Sequence, residues 1–124
     1  MIDDRTRLTH IRDSIDHALA FTAEGRDAFF ADLKTRHAVV RALEIIGEAV
    51  KGISESVQNT NAAVPRRQIA SMRDRLIHGY FTVDLKIVWF VVENELRPLR
   101  EQVETILQQL PPDPESSPAP DGNS

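Results

Sequence analysis

Residues 39–57, VVRALEIIGEAVKGISESV, carry the clearest periodic pattern in this chain. Apolar residues recur there at steps of 4, 3, 4, 3 and 4. This spacing places side chains on one face of an α-helix. The residues are Val39, Leu43, Ile46, Val50, Ile53 and Val57. The pattern therefore predicts a long amphipathic helix that reaches Val57 and buries one face.

The chain before this stretch predicts one more helix and a short helical turn. The first helix covers roughly residues 4–23, and Gly25 is expected to end it. The helical turn should contain Phe29, Phe30 and Leu33. The apolar face of the first helix consists of Leu8, Ile11, Ile15, Ala18 or Leu19, and Phe21 or Thr22.

The chain after this stretch predicts a loop and two more helices. QNTNAAVP (58–65) has the composition of a loop. A short amphipathic helix should follow Pro65 and close at Gly79. The last helix should begin near Val83 or Asp84, run to Leu110 and kink at Pro98.

Helices without strand patterns predict an all-α fold, an up-and-down bundle of four to five helices formed by residues 1–110. The remaining residues, 111–124, read PPDPESSPAPDGNS. They hold five prolines and no Val, Ile, Leu or aromatic residue, so they cannot bury enough area to offset the entropy of ordering. We expect a disordered tail.

The run IVWFVV (87–92) is apolar on every side of the last helix, which is more than one face of a small bundle can use. A second buried face is implied, and another copy of the same chain is its expected cover. The sequence therefore predicts a homodimer. The alternative is that this helix is simply central to the monomer.

Composition narrows the class of protein. No cysteine is present, so disulfides, thiolate zinc sites and cysteine nucleophiles are excluded. MIDDRTRLTHIRD at the N-terminus lacks the apolar core of a signal peptide, and no apolar run reaches the ~18 residues of a membrane helix. We expect a cytoplasmic protein with no membrane contact.

Charge points to a local site for any nucleic acid. Residues 1–110 carry 15 basic and 16 acidic groups, because three of the 19 acidic groups lie in the tail. A protein that binds nucleic acid mainly through phosphates is usually basic overall. The local exception is 64–80, where four arginines stand against Asp74 alone.

The stretch RDRLIHGYF (73–81) lies in this basic segment and holds the only tyrosine of the chain, Tyr80. Arg73 and His78 share a spacing with two other pairs, Arg5 with His10 and Arg12 with His17, so the spacing alone is not specific. On one continuous helix an arginine and a histidine five apart lie about 140° apart. Arg73 and His78 can therefore cooperate only if the helix ends near His78 or a second copy faces the first.

MRDRLIHGYFTVDLKIVW (72–89) resembles the signature of the HepT-like group within the HEPN helical superfamily. That motif is an arginine, a polar residue, three further residues, a histidine, any residue and a tyrosine. RALEIIGEAVKGIS (41–54) is also similar to the long helix of the group. The likeness covers most of 1–110, and the tail lies outside it.

The resemblance implies a homodimeric endoribonuclease toxin that needs no metal or other cofactor. It implies RNA as substrate and, as partner, a nucleotidyltransferase antitoxin encoded beside the toxin. His78 would be the general acid/base and Arg73 the phosphate clamp, roles that imidazole and guanidinium chemistry suits. Asp74 would orient one of them. Tyr80 would contact the RNA and accept AMP from the antitoxin.

Two other readings remain open at the level of sequence. The same fold could serve as a non-catalytic binding partner and regulator of a nucleotidyltransferase. A stripe on the long helix, formed by His37, Arg41, Glu44 and Glu48, holds two carboxylates that could take a metal. A di-metal bundle, however, would want Glu-x-x-His pairs on other helices, and none occurs.

Overall fold

The computed structural model describes residues 3–60 and 84–110, and every element in them is an α-helix. Six helices are described: α1 (Asp4–Phe21), α2 (Arg26–Ala31), α3 (Leu33–Lys51), α4 (Glu55–Thr60), α5 (Leu85–Asn94) and α6 (Leu96–Gln109). This confirms the predicted all-α class. The short helix expected after Pro65 and the tail 111–124 lie outside the described residues.

Helix α1 packs against α3 and α6 and runs antiparallel to both. Asp4, at the start of α1, bonds to Ser54 just beyond the end of α3. Arg5 bonds to the end of α6, and Asp16 pairs with Arg100 near its start. The up-and-down arrangement therefore holds for these three helices.

The predicted apolar faces form the core. Leu8, Ile11, Ile15 and Ala18 of α1 are at most 1% exposed. The expected positions of α3, α5 and α6 are also buried, namely Val39, Leu43, Ile46, Val50, Val88, Val92, Leu96, Leu99, Val103 and Ile106. At the C-terminal end of α1, Thr22 is buried and Phe21 is 46% exposed. Helical spacing thus located the core correctly.

Aspartates begin three of the helices. Asp3 accepts a hydrogen bond from the Thr6 N–H at 2.8 Å and caps α1. Asp32 caps α3, and Asp84 caps α5 by accepting from the Lys86 N–H at 2.9 Å. Each carboxylate satisfies a backbone donor that has no partner within its own helix. The last helix was expected to begin near Val83 or Asp84, and Asp84 is its cap.

The long helix predicted to reach Val57 is interrupted. Helix α3 ends at Lys51, Gly52 follows as its C-cap, and α4 begins at Glu55. Ile53 and Val57 keep the apolar spacing because they still face the core. The predicted loop 58–65 was also wrong in its first part, since residues 58–60 belong to α4.

Two boundaries near α2 differ from expectation. Helix α1 ends at Phe21, and Gly25 instead begins α2, with φ at 97°. Glycine adopts this conformation without the steric cost that other residues meet. Leu33 belongs to α3 rather than to the short helix, and it is 57% exposed.

The last helix is interrupted three residues before Pro98, the position at which the sequence predicted a kink. Helix α5 ends at Asn94, and α6 begins at Leu96 after Glu95. Proline lacks an N–H and its ring clashes with the carbonyl four residues earlier, which here belongs to Asn94. On the α5 side of this break, Trp89 packs on Phe29 of α2 with ring centroids 5.4 Å apart.

Candidate active site and its flanking helices

The sequence-predicted site lies between two described helices. Arg73, Asp74, His78 and Tyr80 are in residues 61–83, outside the described residues, so their mutual geometry stays a prediction. We call 61–83 the motif segment. Helix α4 leads into it and α5 leads out of it. The structure thus defines how both ends of the motif segment are anchored.

The exit anchor is the start of α5. Besides capping the helix with its carboxylate, Asp84 accepts the Val88 N–H on its carbonyl at 3.2 Å. Val88, Val91 and Val92 bury one face of the helix. Since Tyr80 is only four positions before Asp84, the chain leaves the motif at a fixed point of the bundle.

The entry anchor joins the start of α4 to the start of α1. The Ser54 N–H donates to Asp4 Oδ1 at 2.9 Å, and the Ser54 hydroxyl donates to Asp4 Oδ2 at 2.6 Å. The same hydroxyl accepts from the Val57 N–H at 3.4 Å. The carboxylate of Asp4, at the start of α1, therefore holds Ser54 in place just before α4 begins.

The other two arginine–histidine pairs have structural roles for their arginines. Arg5 Nη2 donates to the carbonyls of Leu107 and Leu110, each at 3.0 Å. Arg12 Nη1 donates to Glu104 Oε1 at 2.8 Å, and this bond raises the pKa of Arg12. Both arginines hold α1 to α6 and are already engaged. Two of the three arginines that share the spacing thus have packing roles, and Arg73 lies outside the described residues.

Their histidines face solvent. His10 and His17 are both exposed on α1. The His17 ring lies 6.2 Å from that of Phe21, centroid to centroid. These two residues supply matched surface controls for any histidine proposed to act in chemistry.

The stripe on α3 lies at the surface. His37, Arg41 and Glu48 are exposed, and Arg41 Nη1 lies 3.7 Å from Glu44 Oε1. Within residues 3–60 and 84–110, no group of three or more His, Asp or Glu side chains is arranged to hold a metal. The stripe is a solvated helix face with a loose ion pair.

One apolar face of α5 is left uncovered by the described residues 3–60 and 84–110. Ile87 is 45% exposed and Phe90 is 56% exposed, three positions apart on the same side of the helix. Trp89 is half-buried against Phe29. Part of the apolar run IVWFVV is therefore exposed on α5, the helix that follows the motif segment.

Sequence reasoning missed the residues that anchor α4. Asp4, Gly52 and Ser54 were not singled out, although a glycine followed by a serine before Glu55 is a helix stop and a helix start. The apolar spacing continues through Ile53 and Val57, so it predicted an uninterrupted helix in spite of this signal.

The comparisons with known proteins identify the family of the chain. A profile of the family described as "Ribonuclease HepT-like" matches residues 11–106, a span that includes the motif segment. The chain belongs to the HepT-like ribonuclease family. The family resemblance expected from residues 72–89 is thereby confirmed.

Curated relatives of this family match most of the chain. "Probable ribonuclease HepT" of Thermococcus cleftensis is 40% identical over 100 residues, which cover 80% of this chain and 91% of the relative. "Putative RNase MJ0127" of Methanocaldococcus jannaschii is 37% identical over 110 residues, with 89% and 88% covered. No solved structure matches the chain significantly. Among the described helices, none has the length and apolar character needed to cross a membrane.

Proposed function

We propose that this HepT-like chain is a metal-independent endoribonuclease and the toxin of a toxin–antitoxin pair. The observation that carries the proposal is the family match over residues 11–106, which contains the Arg73–His78–Tyr80 motif. The packing roles of Arg5 and Arg12 support the assignment of the motif to 73–80. We also propose the cytoplasm as its compartment.

The side chains of the motif suit cleavage of RNA by its own 2′-hydroxyl. The 2′-oxygen attacks the adjacent phosphorus, the bond from phosphorus to the 5′-oxygen breaks, and a 2′,3′-cyclic phosphate and a 5′-hydroxyl result. His78 transfers protons, because its reference pKa of about 6.5 lies near working pH. Arg73 binds the non-bridging oxygens with two parallel hydrogen bonds and stabilises their charge.

Asp74 and Tyr80 support this chemistry. Asp74 orients His78 or Arg73, and Tyr80 stacks on a base or binds a phosphate. A nucleotidyltransferase antitoxin would act at Tyr80: its hydroxyl attacks the α-phosphorus of ATP, and pyrophosphate leaves. The attached AMP would place a bulky anion in a pocket suited to phosphate and block RNA.

We propose that the active form is a homodimer paired through α5. The exposed Ile87 and Phe90 support this, because an apolar face next to the motif segment gains free energy when a second copy covers it. The 140° separation of Arg73 and His78 on a continuous helix also favours a second copy. Two facing copies would bring both groups to one groove.

The test is cleavage of end-labelled RNA by purified protein in EDTA. We expect the parent to cut the RNA and the variants His78→Ala and Arg73→Ala to lose at least about 100-fold in rate. His17→Ala and Arg41→Ala are matched controls, since both residues are exposed on other helices. The controls should retain parental activity.

RNA left intact by the parent at every protein concentration would contradict the nuclease proposal and favour a binding module. Cleavage that survives in His78→Ala would remove that residue from the mechanism. A requirement for added divalent metal would contradict metal independence.

A further inference from the structure

The first turn of α1 contacts the ends of two other helices. Arg5 holds the end of α6 through two carbonyls. Asp4 holds Ser54 through two hydrogen bonds. Arg7 lies over Gly52, the residue that ends α3. We call Asp4, Arg7, Gly52 and Ser54 the α1 clasp.

The Asp4–Ser54 contact fixes the orientation of Ser54 as well as its position. Both carboxylate oxygens are used, one by the backbone N–H and one by the hydroxyl of the same serine. Hydrogen bonds to an ionised acceptor are shorter and stronger than neutral ones. Because the Ser54 hydroxyl also accepts from the Val57 N–H, fixing its rotamer fixes the first turn of α4.

The guanidinium of Arg7 lies close to Gly52. A Cβ at position 52 would lie 2.0 Å from Arg7 Nη1, so any larger residue would displace the guanidinium. Gly52 has φ at −88°, an ordinary value. A glycine is needed at position 52 because Arg7 occupies the space of a Cβ, and not because of the backbone conformation. The clasp thus closes over the turn between α3 and α4.

The clasp can affect α4 without supporting the whole bundle. Leu8 and Ile11 of α1 are each 1% exposed, so the packing of α1 does not rest on the Asp4 bonds alone. Ile53 is also buried, and it keeps the turn against the core. Loss of the Asp4 bonds should therefore release the start of α4 while α1 and α3 stay packed.

We infer that Asp4 is a positioning residue for the motif segment, which begins directly after α4. The inference rests on the proposed ribonuclease function, because its consequence for activity runs through Arg73 and His78. Asp4 fixes Ser54, from which α4 departs, and α4 is the described helix that precedes residues 61–83 in the chain. Misplacement of catalytic groups by about 1 Å can cost about 100-fold in rate.

The experiment compares Asp4→Ala with a matched control, Asp32→Ala. Asp32 also accepts from one backbone N–H, at 3.2 Å, and from one hydroxyl, that of Thr35, at 2.6 Å, but it does so at the other end of α3. We expect Asp4→Ala to lower kcat for RNA by about 10- to 100-fold with KM unchanged. Asp32→Ala should leave both constants near the parental values.

Ser54 gives a second, milder pair of variants. Ser54→Ala removes the hydroxyl bonds and should lower kcat in the same direction as Asp4→Ala. Ser54→Thr keeps a hydroxyl and should retain parental kcat. Equal activity of Ser54→Ala and Ser54→Thr would contradict the inference, because the hydroxyl would then have no role in positioning.

Amide hydrogen exchange tests the clasp without RNA. We expect Asp4→Ala to speed exchange in α4, residues 55–60, while residues 39–50 stay protected, and Asp32→Ala to leave 55–60 unchanged. Exchange in 55–60 equal to the parent would overturn the inference even if RNA is cut. If the parent cuts no RNA, the nuclease proposal fails, and the exchange result still decides whether the clasp orders α4.

Discussion

Asp16 on α1 and Arg100 on α6 form a two-bond ion pair. Arg100 Nε donates to Asp16 Oδ1 at 2.6 Å, and Arg100 Nη2 donates to Oδ2 at 3.2 Å. One turn along the same seam, Arg12 pairs with Glu104. Two charged contacts therefore accompany the apolar packing between α1 and α6, and they fix the register of these antiparallel helices.

The Asp16 pair predicts how stability depends on pH. The hydrogen bond from Arg100 lowers the pKa of Asp16 below its ordinary value. A carboxyl with a lowered folded-state pKa stabilises the fold above its unfolded pKa of about 3.9, and this contribution is lost as pH falls through the folded value. Asp16→Asn should cost under about 1 kcal/mol at pH 7, because the side chain is 46% exposed and solvent screens the pair.

The measurement is thermal unfolding followed by fluorescence of Trp89, the one tryptophan of the chain, from pH 7 to pH 2. The gap between parent and Asp16→Asn should close below about pH 4. Asp13→Asn is the control, since Asp13 lies 3.7 Å from Arg12 Nε without a hydrogen bond. A gap that persists unchanged at pH 2 would show that the pair contributes no pH dependence.

The exposed face of α5 predicts a variant that separates the dimer. Phe90→Asp would bury a carboxylate in the proposed interface, where it has no assigned partner and its desolvation is costly. We expect sedimentation to show the parent as a dimer and Phe90→Asp as a monomer. Phe21→Asp is the matched control, because Phe21 is 46% exposed on α1 and should leave the parent state unchanged. A monomeric parent would contradict the proposed homodimer.

The C-terminal boundary predicts that the tail is dispensable for folding. Among the described residues, the last contact along the chain is the bond from Arg5 to the Leu110 carbonyl. We expect a protein ending at residue 112 to unfold within about 0.5 kcal/mol of the full chain, because residues 113–124 hold no Val, Ile, Leu or aromatic residue to bury. Chemical denaturation measures this. A larger loss would show that residues 113–124 pack on the bundle.

Tyr80 predicts the site of modification. Incubation with a nucleotidyltransferase antitoxin and ATP should add a multiple of the AMP mass to the parent. Because the chain has a single tyrosine, Tyr80→Phe removes every tyrosine acceptor and should stay unmodified. Equal modification of Tyr80→Phe would assign the AMP to another residue type.

The sequence predicts which residues are buried better than where helices break. Ile53 and Val57 kept their apolar spacing, so the long helix seemed to continue through them. Helix α3 ends at Gly52, a local stop signal that the apolar spacing outweighed. The start of α4 is held by Asp4, fifty positions away from Ser54, and a local pattern does not reveal such a partner. The start of the last helix at Asp84, one of the positions expected, was found, because a cap acts within its own turn.

For the candidate site, too, the sequence predicts some features and not others. The identities of Arg73, His78 and Tyr80 follow from a motif that is local in the sequence. Their mutual placement does not, since the separation of Arg73 and His78 on a helix makes it depend on where that helix ends and on a second copy. The contacts of Arg5 and Arg12 with α6 give a reason to set aside two of the three arginine–histidine pairs that share this spacing.

The most direct test of the nuclease proposal compares one RNA with its 2′-O-methyl counterpart, both incubated with the parent protein in EDTA. Methylation removes the attacking hydroxyl and leaves the phosphates in place. The proposal predicts that only the unmodified RNA is cut, with 2′,3′-cyclic phosphate and 5′-hydroxyl ends. Cleavage of both strands at equal rates, or of neither, would contradict it.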